Sequence, residues 1–282
     1  MIVIACITFG HNTSDISSAL ENATTIAGTR RDVEVITVDD SSGVTHDISG
    51  IRCISTPQRM GFPATVQYIV EVLYPTSERL ILINPDAHVT IETLGRLMDY
   101  TGDLIVPSIK KKEGTLENVR HATRPSWELK NLAFREKYRG DTLTAATETR
   151  TVLCPPYAPS GSVISISASL LRSMPLRAEY FWLEFSDWVR RQDKPRELTI
   201  DSGFAEHTGA STSLKYPVSV ACSQARAKYL YVREYGTSLQ RKLAIHALLC
   251  KGARFALKQR SVTSGIDLVL CALGKRDWKN LR

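Results

Sequence analysis

No stretch of eighteen or more apolar residues occurs in the sequence, which argues against a membrane-spanning helix. The six cysteines (Cys6, Cys53, Cys154, Cys222, Cys250 and Cys271) form no Cys-x-x-Cys pair and no zinc-like spacing. Most sit in apolar surroundings, where a free thiol behaves as a small core residue, and a reducing cytoplasm is the compartment this fits. The opening "MIVIACITFG" lacks a basic region and a small-residue cleavage site, so it reads as a buried strand rather than a signal peptide. No internal repeat, low-complexity tract or flexible linker is present. Helix-turn-helix, zinc-finger and RNA-binding signatures are also missing, so nucleic acid is not an expected partner.

What is present suits an ordinary globular enzyme: 282 residues, 43% hydrophobic and 23% charged. The net charge of +7 is uneven, because residues 226–282 hold 13 Lys/Arg against 3 Asp/Glu. In the first hundred residues strand-like and helix-like segments alternate. "IVIACIT", "VEVITV", "IRCIST", "LILI" and "DLIVPS" read as strands, separated by helices near 13–27, 63–73 and 91–100. That alternation predicts an α/β fold with parallel pairing and right-handed crossovers. Residues 109–114 ("IKKKEG") read as an exposed hairpin or loop, "VISISASLL" as a strand and short helix, and "EYFWLEFSDWVRRQ" as a helix. "IDSGFAEHTG" reads as a strand ending in His207. From residue 226 the pattern is helical, with breaks predicted near Gly236, Gly252 and Gly265. The predicted organisation is an α/β unit over 1–225, in two parts, 1–107 and 108–225, followed by a basic helical appendage over 226–282.

In an open parallel sheet, ligands bind beyond the carboxyl ends of the strands. Thr8, Asp39-Asp40 and Asn84-Pro85-Asp86 all fall at such ends. An Asn-Pro-Asp segment is a turn former on its own. At a strand end it also offers one carboxylate for a divalent ion, which Mg²⁺ typically shares with substrate phosphates rather than with a full protein cage. Asn84 can assist by hydrogen bonding. Asp39 and Asp40 can coordinate metal, accept hydrogen bonds from a base or ribose, or form an Asx turn. Arg59, two residues ahead of Gly61 at a helix start, adds a cation that can face a diphosphate.

Taken together these segments resemble the family-2 inverting glycosyltransferases, in particular the rhamnosyltransferase-like branch. "CITFG" resembles the family's opening strand and its Thr-Tyr-Asn tip, with Phe9 and Gly10 in the last two places. "VITVDDSSG" resembles the Asp-Asn/Asp-x-Ser turn, "RMGFPAT" the Asn-x-Gly-Phe segment with Arg59 in place of Asn, and "LILINPDAHV" the Leu-Asn-Pro-Asp form of Asp-x-Asp. "RPSW" (124–127), "SGSVISISASLL", "FWLEFSDWVRR", "HTGAS" and "YLYVRE" follow in the family's order, over nearly the whole chain.

The resemblance implies a GT-A type fold: a Rossmann-like, mostly parallel sheet flanked by helices, here with the C-terminal helical appendage. It makes residues 1–225 the catalytic unit, with 1–107 binding the nucleotide sugar and 108–225 serving the acceptor and the metal. It implies a nucleoside-diphosphate sugar as donor, of the dTDP-rhamnose or UDP-sugar type, and a glycan or lipid-linked glycan as acceptor. Thr8, Asp39 and Asp40 would face the nucleoside, with Phe9, Gly10 and Arg59 near the donor. Asp86 would bind Mg²⁺ or Mn²⁺ bridging the diphosphate, and His207 would complete the metal site. The family's usual base is the second acid of a Glu-Asp pair, and that position here is Phe185. Glu184 is therefore the expected base. Asp187, three residues on, would share its face, and Arg191, four further, would pair with Asp187, which would then be structural or hold an acceptor hydroxyl. A shifted helix register, with a different acid as base, is the other reading. Trp182 and Trp188 are expected on the acceptor side with Arg191; the plainer reading is that both tryptophans pack inward beside surface charges. Two other readings are a non-catalytic sugar-nucleotide- or glycan-binding relative, motivated by Phe185, and a sugar-phosphate nucleotidyltransferase. The latter needs a Gly-rich phosphate loop behind the first strand, and "TFGHNTSD" supplies none.

In residues 226–282 the basic side chains do not separate cleanly from the apolar ones on a helical projection. The expected role is packing against the catalytic unit with a basic outer face, available to an anionic membrane surface or to a second copy of the chain. A peripheral position at the inner face of the membrane is the corresponding expectation.

Overall fold

The computed structural model describes residues 1–281 apart from 42, 44–45, 112–115, 118, 135–141, 144–147, 160 and 208–216. Thirteen strands and nine α-helices are present among the described residues. In chain order they are β1 (Ile2–Thr8), α1 (Thr13–Ala27), β2 (Val33–Asp39), β3 (Arg52–Ser55), α2 (Phe62–Tyr68), β4 (Arg79–Ile83), β5 (Ala87–Val89), α3 (Ile91–Asp99), β6 (Leu104–Lys111), β7 (Leu116–Glu117), β8 (Val119–His121) and α4 (Pro125–Ala133). They continue with β9 (Thr142–Leu143), β10 (Arg150–Cys154), β11 (Tyr157–Pro159), β12 (Val163–Ser167), α5 (Ala168–Ser173), α6 (Glu184–Arg190), β13 (Arg196–His207), α7 (Pro217–Tyr235), α8 (Ser238–Gln259) and α9 (Val262–Ala272).

The main sheet runs β10-β13-β6-β12-β4-β1-β2-β3. Its β3-β2-β1-β4 half is parallel, as the alternation of strands and helices predicts. Strand β1 shows why such a run is apolar throughout. Val3 and Ala5 enter the core on one face, while Ile2, Ile4 and Cys6 enter the core on the other, against α1 and α3. The sequence-based picture needs one correction: "DLIVPS" does not pair with "LILI". Strand β12 lies antiparallel between them, bonded to β4 on one side and β6 on the other. Its register is pinned by buried side chains, with Ser165 Oγ donating to Leu97 O and accepting from Arg79 Nη1, both at 3.0 Å. The fold class stands as α/β with a largely parallel centre; the sheet as a whole is mixed.

Around the predicted 109–114 hairpin, β6 and β7 pair antiparallel (Ile109↔Glu117), and residues 112–115 lie outside the described residues. So do residues 208–211 of "HTGAS". The helix predicted near 63–73 is α2 followed by a π-helical turn, Ile69–Leu73.

The C-terminal helices have a core of their own, shared by α4, α7, α8, α9 and Trp278. Helix α7 begins at Pro217, so the predicted boundary at 226 falls inside it. Gly236 does end that helix, whereas Gly252 and Gly265 interrupt nothing. They are where α8 and α9 touch. A Cβ on Gly265 would sit 2.6 Å from Gly252 O and 2.7 Å from Ala256 Cβ, and one on Gly252 would sit 2.6 Å from Val269 Cγ2. Only glycine lets the two backbones approach so closely. No helix among the described residues is long and apolar enough to cross a membrane.

Candidate active site

The carboxyl ends of β1 and β4 open into a cavity of about 690 Å³, within the range of small-molecule sites. Thr8 and Phe9 from the tip of β1, Asp40, Arg59, Asn84, Asp86, Trp182, Glu184 and His207 all line it. Gly10 and Asp39 do not, although both adjoin lining residues.

Asp40 is placed by the parallel register that sets Thr8 beside Asp39, and its N–H donates to Thr8 O at 2.8 Å. Its carboxylate faces the start of α2. Oδ1 accepts from Met60 N–H at 2.6 Å and Oδ2 from Gly61 N–H at 2.8 Å. A negative charge at a helix N-terminus is favourable, so Asp40 holds this loop as well as walling the cavity. Gly61 has φ +84, a conformation that disfavours a side chain, and a Cβ there would come 3.4 Å from the Trp278 ring. Arg59 spans the same rim: it donates to Lys279 O at 2.8 Å and to Ser219 Oγ at 3.0 Å, and lies 3.9 Å from the Phe9 ring centroid. Thr8 Oγ1 is buried with no hydrogen-bond partner among the described residues. A buried hydroxyl left in that state is a standing demand for a polar ligand atom.

The acid and the imidazole meet through strand pairing. Strand β5 follows Asp86 and pairs antiparallel with the end of β13, His207 opposite Ala87. That register puts His207 Nε2 3.1 Å from Asp86 Oδ1. The other ring nitrogen, Nδ1, lies 3.3 Å from Ser162 Oγ, which fixes the ring's orientation. Burial pushes the Asp86 carboxyl up, but the His207 contact and the fields of His207 and His11 outweigh it, and Asp86 is held below the usual carboxylate range. Among the described residues no group of three or more His, Cys, Asp or Glu side chains capable of holding a metal is found. The Asp86–His207 pair offers at most one carboxylate and one imidazole.

Glu184 lines the same cavity, where a Cβ on Gly161, the neighbour of Ser162, would lie 3.7 Å from its Oε1. Its Oε2 is buried without a partner among the described residues, and burial pushes the carboxyl up to about 7 despite hydrogen bonds from backbone N–H groups. The expected long helix is not formed here. A 3₁₀ turn (Ala178–Tyr180) leads through Trp182, whose φ of +84 is an outlier for a bulky residue, into α6 beginning at Glu184. That turn, rather than helical register, directs Glu184 into the cavity. Asp187 faces away. It accepts from Tyr235 OH at 2.7 Å, from Arg191 Nε at 2.9 Å and from Arg177, and it is fully buried outside the cavity. Trp188 is likewise buried, its Nε1–H donating to Met174 O at 2.7 Å. The acceptor-side placement of Trp188 and Arg191, and a shared face for Glu184 and Asp187, are therefore not what the structure shows. Trp182 does line the cavity, half-exposed, with Nε1–H donating to Ser223 Oγ at 3.0 Å.

Several lining residues escape sequence reading. His11 follows the β1 tip and accepts from Phe9 N–H through Nδ1 at 3.0 Å. Ser219, Ser223, Gln224 and Lys228 of α7, with Trp278, close the cavity from the C-terminal side, so residues 226–282 are more than an appendage. On α4, Glu128 accepts from Thr123 Oγ1 at 2.6 Å and lies 3.9 Å from Lys228. The only hint in the sequence was the position of His11 just past a strand end.

No family model matches the chain, and no curated protein matches its sequence. Solved structures do. S. aureus TarS 1–349, in complex with UDP-GlcNAc, is 14% identical with a TM-score of 0.50, over 96% of this chain and 81% of that one. The mannosyltransferase PcManGT from Pyrobaculum calidifontis, with GDP-Man and Mn²⁺, is 13% identical with a TM-score of 0.47, over 97% and 86%. GalNAc-T7 with UDP, GalNAc and Mn²⁺ is 14% identical with a TM-score of 0.48, over 87% and 54%. At 14% identity the likeness to the TarS structure concerns architecture alone: the chain has a GT-A type fold.

Proposed function

We propose that the protein is a metal-dependent inverting glycosyltransferase that moves a sugar from a nucleoside-diphosphate donor to a hydroxyl of a glycan or lipid-linked glycan. One observation carries the reading: the Asp86–His207 pair and the unsatisfied Glu184 carboxyl line the same cavity. The sequence resemblance points to dTDP-rhamnose or a UDP-sugar as donor, and the structural neighbours were crystallised with UDP- and GDP-linked ligands.

Asp86 and His207 fit a divalent ion such as Mn²⁺ or Mg²⁺, since such ions take one or two protein ligands and leave the remaining positions to phosphate oxygens and water. Bound there, the ion would supply positive charge that stabilises a departing diphosphate. Asp86 remains ionised for this purpose, and Ser162 orients His207. Thr8, Phe9 and Arg59 form the wall for the nucleoside end. The half-exposed Trp182, bonded to Ser223 one helical turn from the Ser219 that Arg59 contacts, offers a face for an acceptor sugar. The acceptor hydroxyl gives its proton to Glu184 Oε2 as its oxygen bonds to the anomeric carbon, and the bond from that carbon to the diphosphate oxygen breaks. Phe185 at the family's usual base position favours a non-catalytic relative, but the raised carboxyl next to it is suited to proton transfer near neutral pH.

The test is nucleotide release and sugar transfer by purified protein with manganese, across a panel of nucleotide sugars and a pH series. The active form of the base is the carboxylate. kcat/KM is therefore expected to rise with pH to a plateau, with an apparent pKa of about 7. Turnover with no acid limb between about pH 5.5 and 8.5 would remove Glu184 as the base. No turnover and no binding of any donor would remove the enzyme reading itself.

A further inference from the structure

Half of the large apolar side chains that are well exposed among the described residues, seven of fourteen, fall within residues 239–273. On α8, Leu239, Leu243 and Leu257 are 66%, 44% and 80% exposed, and they sit four and eighteen residues apart, spacings that keep them on one side of a helix. On α9, Val262 and Ile266 are 74% and 52% exposed, again four apart. The two helices are joined by Arg260 and Ser261 alone and meet at Gly252 and Gly265, so they lie side by side. Their inner faces are taken: Ala244, Ala247, Leu248, Leu268 and Cys271 are in the C-terminal core, and Arg254 donates to the last carbonyls of α4. The leucines are on the side left over. An exposed apolar set gathered on two neighbouring helices marks an interaction surface.

The charge carried by α8 has one sign. Between Glu234 and Asp267 the chain carries six cations and no acid. Arg241, Lys242, Lys258 and Arg260 among them are exposed. A helix that is merely solvated would mix signs for i,i+4 pairing. A symmetric dimer through this face would bring like cations together.

We propose that the outer face of α8 and α9 is a docking surface for an anionic lipid bilayer, with the leucines entering the headgroup boundary and the flanking cations meeting lipid phosphates. Apolar area and attraction to anionic headgroups add in such binding, and neither alone holds a helix firmly at an interface. The surface lies outside the cavity, and its test reads binding only, so it holds or fails independently of sugar transfer.

The full chain is sedimented with vesicles of phosphatidylcholine alone and of phosphatidylcholine with about 30 mol% phosphatidylglycerol. Binding is expected to the anionic vesicles, to weaken at high salt, and to fall at least about tenfold in the double variant Leu243→Glu, Leu257→Glu. Circular dichroism and the thermal midpoint should be unchanged, since both side chains are already in water. A second variant, Lys242→Glu with Lys258→Glu, should lose the preference for anionic lipid. Absence of binding to either vesicle, or full binding by both variants, overturns the proposal. A lipid-free dimer that the leucine variant disperses also overturns it, and assigns the face to a second copy of the chain.

Discussion

Glu184→Gln is expected to reduce sugar transfer by about 10²–10⁴-fold while leaving the donor's Kd nearly unchanged. The amide is close in shape and removes only the capacity to accept a proton. Glu184 is suited to that loss being decisive. Its Oε2 is buried without a partner among the described residues, and its carboxyl sits at about 7, where proton affinity and the fraction of carboxylate are both useful at neutral pH. Asp187→Asn gives a contrasting outcome. Asp187 is bonded by Arg191, Tyr235 and Arg177 and does not reach the cavity. Its replacement should therefore act on stability, leaving the partly buried guanidinium donors of Arg177 and Arg191 poorly matched, rather than on the pH profile. Transfer by Glu184→Gln at the unmodified rate would show that another group takes the proton.

The second large effect is expected at Asp86. Asp86→Ala removes the carboxylate that His207 contacts at 3.1 Å and that the proposed function sets against the diphosphate. Nucleotide affinity in manganese should fall at least about 100-fold, a difference of about 2.7 kcal/mol. Affinity measured without the metal should change far less, because Thr8, Phe9 and Arg59, the cavity wall proposed for the nucleoside, are untouched. The measurement is a calorimetric titration of nucleotide with and without Mn²⁺. Equal affinity of the two proteins in manganese would separate Asp86 from the diphosphate.

Much of this site was legible in the sequence because it sits on strand ends. A continuous apolar run followed by Asn84-Pro85-Asp86, or by Asp39-Asp40, marks both a buried parallel strand and the place where its tip meets solvent. His207 was legible only through resemblance; its approach to Asp86 depends on β5 pairing with β13, and no local pattern reports a partner more than a hundred residues away. The insertion of β12 between β4 and β6 was hidden for the same reason. The start of α6 is not legible in the sequence because Trp182 adopts φ +84, which nothing in its identity announces. Gly252 and Gly265 look like helix breakers in a sequence, yet in the structure they serve as the contact between two helices. The α7 wall is not legible either, because Ser219, Ser223, Gln224 and Lys228 resemble an ordinary solvated face without the cavity beside them.

The central claim is that one cavity binds an activated sugar with its diphosphate at Asp86 and His207 and its anomeric carbon within reach of Glu184. A crystal structure of the protein with manganese and a nucleotide sugar tests it most directly. The account predicts electron density for the metal against Asp86 Oδ1 and His207 Nε2, the diphosphate beside it, and the nucleoside along Thr8 and Arg59. A nucleotide bound elsewhere, with Asp86 and His207 unchanged and distant from it, would contradict the account.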